Sequence, residues 1–160
     1  HSVTELETRV ICRSLFEALQ FCHERNIAHR DIKLSNLLLA RPNDLSSLKI
    51  GDFGFAKVVP PTGLTTRCGT PLFLPPEIVL LGSELYKSYD TKCDIWSAGV
   101  VVYILLGGLP PFTFGPEKHR NIHSLYKEII FGDIGLEKPI WDIVSHEAKA
   151  MIRGMMTRDH

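Results

Sequence analysis

Two short stretches of the chain combine the residue types that chemistry on a phosphate demands. The first runs His29, Arg30, Asp31, Ile32, Lys33, Leu34, Ser35, Asn36, and the second is Asp52, Phe53, Gly54. Moving a phosphoryl group onto a hydroxyl requires a carboxylate to orient the hydroxyl, cations to neutralise the phosphates, and oxygen donors for the metal ion. Asp31 is the candidate carboxylate and proton acceptor. Lys33, two residues on in an extended loop, would reach the same side and touch the transferring phosphate. Asn36 and Asp52 are oxygen donors of the kind that suits Mg²⁺, which keeps several of its waters and takes few protein ligands.

Each residue taken alone has a plainer reading. His29 would be a core histidine, Asp94 the N-cap of a helix, and Trp96 with its neighbouring valines a buried helix face. Only their joint order along the chain singles out Asp31, Lys33, Asn36 and Asp52.

Positioning these groups requires regular elements around them. Thr4 is a predicted N-cap, with Glu5 and Glu7 in the first turn, where they complement the helix dipole. Leu6, Val10, Leu15, Leu19 and Cys22 then recur at helical steps and predict one amphipathic helix to about His23. A loop around Asn26 leads into the polar stretch. Leu37 to Ala40 and Ser47 to Ile50 read as two short strands joined by a turn at Pro42, Asn43 and Asp44. From Gly51 to Pro76, glycine, proline and threonine occur without period, which predicts a long functional loop. Pro76 and Glu77 open a short helix. A hydrophobic helix follows from about Thr91 to Leu106, ended by Gly107, Gly108, Pro110 and Pro111. Ile122 to Ile130 and Ser145 to Thr157 read as amphipathic helices. The predicted fold is mainly α with a small β-hairpin, one unit over residues 1–160 without internal repeat.

Composition narrows the partners. At 160 residues, 44% apolar and 22% charged, the chain can bury one sizeable core. Its formal net charge is zero, so bulk electrostatics draw it toward neither nucleic acid nor an anionic membrane, and neither partner is expected. The apolar run Ile95 to Leu109 is interrupted by Ser97 and three glycines, too short to span a bilayer and suited to a core helix. Cys12, Cys22, Cys68 and Cys93 lack zinc or disulfide spacing and read as free thiols in a reducing compartment. Cys68, beside Arg67, is expected to be buried or inert. No targeting segment is evident, so a cytoplasmic or nuclear location is expected. The start at His1, inside a helix-like pattern, reads as that of a fragment or processed product.

With these motifs the chain resembles the eukaryotic protein kinases. The resemblance runs from His1 to about Asp159 and rests on ordered motifs with matching gaps. The catalytic-loop and D-F-G signatures are followed by Cys68 to Glu77, standing where the family has A-P-E, with Pro75 replacing the alanine. Asp94 to Gly99, D-I-W-S-A-G, matches the central helix, and Pro110 to Phe112, P-P-F, follows at the familiar distance. Lys33 with Thr70 in G-T-P is similar to the serine/threonine branch. Asp52 to Lys57 and Pro139 to Lys149 resemble the calcium/calmodulin-dependent group.

The resemblance implies a fold, the C-terminal lobe of a two-lobed α+β domain, and an activity, ATP-dependent phosphoryl transfer to serine and threonine hydroxyls of protein substrates. It implies ATP and Mg²⁺ as cofactors, with Asp31 and Lys33 catalytic, Asn36 and Asp52 on the metal, and Leu38 beneath the adenine. His29 and Phe53 would pack together, Gly54 completes D-F-G, and Asp94 would brace the catalytic loop. Arg30, preceding the catalytic aspartate, goes in the family with phosphorylation of the activation loop. A phosphate on Thr66 or its neighbour Thr65, placed there by an upstream kinase, would pair with that guanidinium. Calmodulin stays open.

There are departures. Leu34 and Ser35 stand where many relatives carry proline and a glutamate that binds a substrate arginine, and Arg67 replaces a mostly apolar pocket residue. Substrate preference is therefore not carried over. No Gly-rich loop, strand lysine or partner glutamate precedes His1, so the chain is expected to be an incomplete segment with weak affinity for Mg-ATP. The arginine that pairs with Glu77 in the family would lie beyond the last helix, leaving a buried carboxylate unpaired at a cost of roughly 3–5 kcal/mol and the isolated chain unstable. Two other readings compete with a segment of an active kinase: a truncated, inactive lobe acting as a protein-binding module, and a purely structural helical protein. The latter leaves Asn36 and Asp52 unexplained.

Overall fold

In the computed structural model the described residues are 3–114 and 121–158; His1 and Asp159, the two ends of the resemblance, lie outside them. Helix α1 spans Glu5–His23 and begins where expected. Thr4 Oγ1 accepts the Glu7 N–H at 3.2 Å while Glu7 Oε2 accepts the Thr4 N–H at 2.8 Å, so two of the helix's free donors are satisfied reciprocally. The buried face differs in detail from the expected one. Thr8, Ile11, Cys12, Leu15, Leu19 and Cys22 point inward, whereas Leu6 is exposed. Leu6 lies off the stripe that Leu15 and Leu19 define.

After α1 come β1 (Ile27–Ala28), β2 (Leu37–Leu39), β3 (Leu48–Ile50) and β4 (Lys57–Val58). Strands β2 and β3 form the expected antiparallel hairpin, with Leu37 opposite Ile50 and Leu39 opposite Leu48. Asn43, at φ 60°, makes its turn. The second sheet was not expected: β1 pairs antiparallel with β4, Ile27 opposite Val58 and Ala28 opposite Lys57. The segment from Gly51 to Pro76 is therefore anchored near its start, and 3₁₀ turns at Phe53–Phe55 and Pro71–Phe73 tighten it further.

Four helices complete the chain: α2 (Pro76–Val79), α3 (Lys92–Gly107), α4 (Ile122–Phe131) and α5 (His146–Met155). Helix α3 is apolar all round, and such a helix must be enclosed on every side. It is: Ala98 and Val101 pack with Ile11, Leu15, Leu19, Ile32 and Leu48. Its other side, through Val100, Val102 and Tyr103, joins a larger cluster with Ile78, Phe112, Leu125, Trp141 and Ile152. Thr91 rather than Asp94 occupies the N-cap position, without a side-chain cap, so Asp94 sits inside the first turn and its side chain faces the catalytic loop. No helix among the described residues is long and apolar enough to cross a membrane.

All four cysteines are free thiols. Burial pushes the Cys12 thiol up to about 11, which makes it inert at neutral pH. Cys68, expected to be buried or inert, is half-buried, and its Sγ lies 3.8 Å from the Tyr89 hydroxyl.

Candidate active site

Asp94 organises the loop that carries the candidate chemistry. Its carboxylate, at 0% exposure, accepts the His29 N–H at 2.8 Å on one oxygen and the Arg30 N–H at 2.8 Å on the other. His23 Nε2 lies 2.9 Å from the first of these oxygens, and the Cys93 Sγ–H donates to the second at 3.8 Å. Arg30 has φ 70°, a left-handed conformation that costs a non-glycine residue on the order of 1–2 kcal/mol. Two charge-assisted hydrogen bonds from adjacent backbone amides are of the size needed to hold it there.

His29 joins this loop to the D-F-G stretch. The Asp31 N–H donates to His29 Nδ1 at 3.3 Å, which places the ring hydrogen on Nε2, and Nε2 donates to the Gly51 carbonyl at 3.0 Å. The imidazole also meets the Phe53 ring edge-on, centroids 4.7 Å apart at 73°.

Asp31 itself is 4% exposed. One of its oxygens receives the Thr70 hydroxyl at 2.6 Å; the other pairs with Lys33 Nζ at 2.7 Å. Lys33 Nζ also donates to Thr70 Oγ1 at 3.0 Å, closing a triangle of catalytic loop, lysine and activation segment. Asn36 Nδ2 donates to the Asp31 backbone carbonyl at 2.9 Å and to its carboxylate at 3.3 Å. Burial alone would raise the Asp31 pKa. The hydrogen bonds from Lys33 and Thr70, the lysine charge and the Asn36 amide outweigh it, so the carboxyl lies below its usual range.

The two oxygen donors arrive from opposite strands of one hairpin. The Gly51 N–H donates to the Asn36 carbonyl at 2.8 Å, extending the β2–β3 register one step and leaving Asp52 as the next residue on the facing strand. Asp52 is exposed, left-handed at φ 55°, and one of its oxygens caps the following turn through the Gly54 N–H at 3.2 Å. Its second oxygen is uncommitted in these bonds. So is Asn36 Oδ1, because both Asn36 bonds use the amide nitrogen. No group of three or more His, Cys, Asp or Glu side chains is placed to hold a metal among the described residues. A sparse amide-plus-carboxylate pair fits an ion such as Mg²⁺, whose remaining positions go to water and phosphate oxygens. Leu38 lies over Gly51, where a Cβ would sit 2.9 Å from Leu38 Cδ1. At 55% exposed, Leu38 offers an apolar surface next to the donor pair, with Phe53 48% exposed beside it.

Arg30 and the loop threonines are arranged less directly. Arg30 Nε donates to the Phe55 carbonyl at 2.6 Å and one terminal nitrogen donates to the Tyr89 hydroxyl at 3.2 Å. Thr65 and Thr66 are both exposed, and among the described residues no hydrogen bond joins their hydroxyls to Arg30. Glu77 is buried in α2, and its carboxylate is not left without a partner, so the expected orphaned charge is not found. The motif reading missed Tyr89 and His23. His23 ends a periodic helix, where nothing marks it as a ligand of Asp94. Tyr89 sits in an aperiodic connector, where only packing reveals its contacts.

The site thus combines a buried carboxylate held by lysine, threonine and asparagine, a nearby amide and carboxylate pair, and a helix whose Asp94 braces the loop that carries the first. The protein kinase domain model matches residues 1–160, and the chain belongs to that family. It is similar to serine/threonine kinases: calcium/calmodulin-dependent protein kinase type 1 of Macrobrachium nipponense, 36% identical over 158 residues, covers 99% of this chain and 43% of the relative. MAP kinase-activated protein kinase 2 of Homo sapiens is 42% identical over 154 residues, 96% of this chain and 37% of the relative. Calcium-dependent protein kinase 5 of Plasmodium berghei is 40% identical over 152 residues, 94% and 25% respectively. The chain thus spans less than half the length of each of these relatives.

Proposed function

We propose that this chain is the substrate-side lobe of a serine/threonine protein kinase and acts, within a longer catalytic domain, in transferring a phosphoryl group from Mg-ATP to protein hydroxyls. The observation that carries the reading is the Asp31–Lys33–Thr70 triangle. It holds one carboxylate deprotonated, nearly buried and oriented, at the mouth of an oxygen-donor pair. Mg-ATP, when bound, supplies the electrophilic phosphorus and the charge that must be neutralised. Asp31 orients the acceptor hydroxyl and takes its proton at a carboxylate oxygen. Thr70 fixes the other oxygen, so the orientation does not have to be found anew in each turnover. Lys33 keeps a positive charge where negative charge accumulates. Asn36 and Asp52 would hold the ion through Asn36 Oδ1 and the free Asp52 oxygen, and Leu38 would lie under the base.

Regulation follows the same surface. A phosphate on Thr66, or on Thr65, would add nearly two negative charges close to Arg30, and an upstream kinase would be the partner that adds it. Free thiols at Cys12, Cys22, Cys68 and Cys93 support work in the reducing cytosol or nucleus.

The test is transfer of labelled phosphate from ATP by the purified full-length protein to mixed serine, threonine and tyrosine peptides. Label on serine or threonine, lost in Asp52→Asn, is the expected result. A folded full-length protein that transfers none with Mg²⁺ present would instead favour the inactive binding module.

A further inference from the structure

The long segment after Asp52 is docked on the catalytic loop through Thr70 and Gly69. Four contacts hold it. Leu64 and Tyr89 exchange both backbone hydrogen bonds, at 2.8 and 3.0 Å. The Tyr89 hydroxyl donates to the Thr66 carbonyl at 2.7 Å. Gly69, at φ 109°, passes so close that a Cβ there would lie 2.7 Å from the Arg30 carbonyl oxygen. Thr70 then ends the segment on Asp31 at 2.6 Å.

The Tyr89 side chain is hydrogen-bonded both to the segment, at Thr66, and to Arg30. A phenol has a single hydrogen, and here it goes to Thr66. The oxygen must therefore accept from the Arg30 guanidinium at 3.2 Å, and the 3.8 Å contact with Cys68 must have the thiol as donor. Tyr89 is 5% exposed, and burial pushes its hydroxyl pKa up, so it stays a neutral donor at any physiological pH. With Nε on Phe55, Arg30 is anchored to the D-F-G side and, through Tyr89, to the threonine side of the same segment.

We infer that Tyr89 is a positioning residue that does without charge what a loop phosphate would do with it: it links Arg30 to the segment before Thr70 and so aligns Thr70 on Asp31 in the unmodified protein. Its kinetic consequence rests on the kinase activity proposed above; its structural consequence does not. Phosphorylation of Thr66 then tightens a segment already in place and raises activity only a few-fold. Removal of the Tyr89 oxygen makes activity depend on that phosphate.

The experiment compares phosphatase-treated full-length protein and its Tyr89→Phe variant by hydrogen exchange over residues 62–70 and by trypsin cleavage after Arg67. Phe keeps the ring and removes only the oxygen. Loss of the charge-assisted bond from Arg30 together with the bond to the Thr66 carbonyl should speed exchange and cleavage in the segment at least about tenfold. Phosphoryl transfer should show kcat falling by a similar factor with the KM for ATP unchanged, and phosphorylation of Thr66 should restore kcat to within about twofold of wild type. Thr65→Ala with Thr66→Ala, in the presence of Tyr89, should keep at least about a third of the unphosphorylated rate. Equal exchange in wild type and Tyr89→Phe overturns the inference, as does a segment exchanging freely in unphosphorylated wild type. Should Tyr89→Phe fail to fold, Arg30→Lys cuts the other half of the bridge and is read by exchange and cleavage alone, because it also removes the partner of a Thr66 phosphate. Faster exchange in the variant of a protein that transfers no phosphate leaves the inference standing and sinks the kinase reading. An active protein in which Tyr89→Phe is silent does the reverse.

Discussion

Asp94 and Arg30 lie 64 positions apart in the chain, yet one Asp94 oxygen accepts the Arg30 N–H at 2.8 Å while the other holds the His29 N–H at the same distance. The carboxylate thus fixes, from inside the core, the backbone that presents Asp31. The His29 amide has no water to turn to, since His29 and Asp94 are both at 0% exposure, while Arg30 is half-buried.

Asp94→Ala should therefore cost about 3 kcal/mol of stability, because it strands the buried His29 donor at roughly 1–3 kcal/mol and removes the charge-assisted bond of the half-buried Arg30 donor. Urea unfolding of the full-length protein measures it. A loss below about 1 kcal/mol would mean that the loop holds its left-handed Arg30 without the brace.

Replacing Asp31 by asparagine keeps the shape of the triangle and removes the proton acceptor. The kcat for protein substrates should fall by about 10²–10⁴-fold, with the KM for ATP within about twofold of wild type. A fall in apparent ATP affinity with kcat intact would assign Asp31 to binding instead.

The pH response has a definite sign. Lys33, Thr70 and Asn36 hold the Asp31 carboxyl below the usual aspartate range, against the opposing effect of burial. A depressed folded-state pKa contributes stability that is fully present above the unfolded value and is lost as pH falls through the lower folded one. Asp31 therefore adds no pH dependence between about pH 5 and 8. Lys33→Ala leaves burial less opposed and moves the Asp31 titration up. The part of the acid-induced fall in urea midpoint that is due to Asp31, followed down from pH 6, should therefore be smaller in that variant than in wild type.

Ser145 ties the last described helix to the first. Its hydroxyl and N–H both donate to Glu5, at 2.6 and 2.9 Å, and its oxygen caps α5 through the Ala148 N–H at 3.2 Å. Ser145→Ala should cost about 1 kcal/mol for the cap. It should also raise the Glu5 pKa, which the Ser145 side-chain and backbone bonds hold down against burial. NMR titration of the Glu5 carboxyl reads the second effect separately from the first.

Much of this was legible before any coordinates. The order of Asp31, Lys33, Asn36, Asp52 and Asp94 marked the candidate site, and the runs from Glu5 and from Lys92 carried the helices, because periodicity and apolar length are properties of the sequence itself. The β1–β4 pair was not legible: strands of two residues have no period, and Ile27 meets Val58 only after the hairpin between them has formed. Tyr89 was hidden for a related reason, since its two polar contacts, Arg30 and Thr66, lie 59 and 23 positions away. Glu77 shows the opposite hazard. A pairing carried over from the family predicted a stranded carboxylate, and the fold engages it.

The β2–β3 hairpin also sets the order in which the site comes into being. Asn36 and Asp52 are joined by a local hairpin, whereas Thr70 meets Asp31 across 39 positions and Asp94 meets Arg30 across 64. Hairpins close in about 1–10 μs, while contacts of long sequence separation come late. A chain still maturing can thus present its cation donors side by side before it can orient a hydroxyl. Half-formed molecules are silent toward substrates rather than indiscriminate, and competence arrives only with the last long-range contacts.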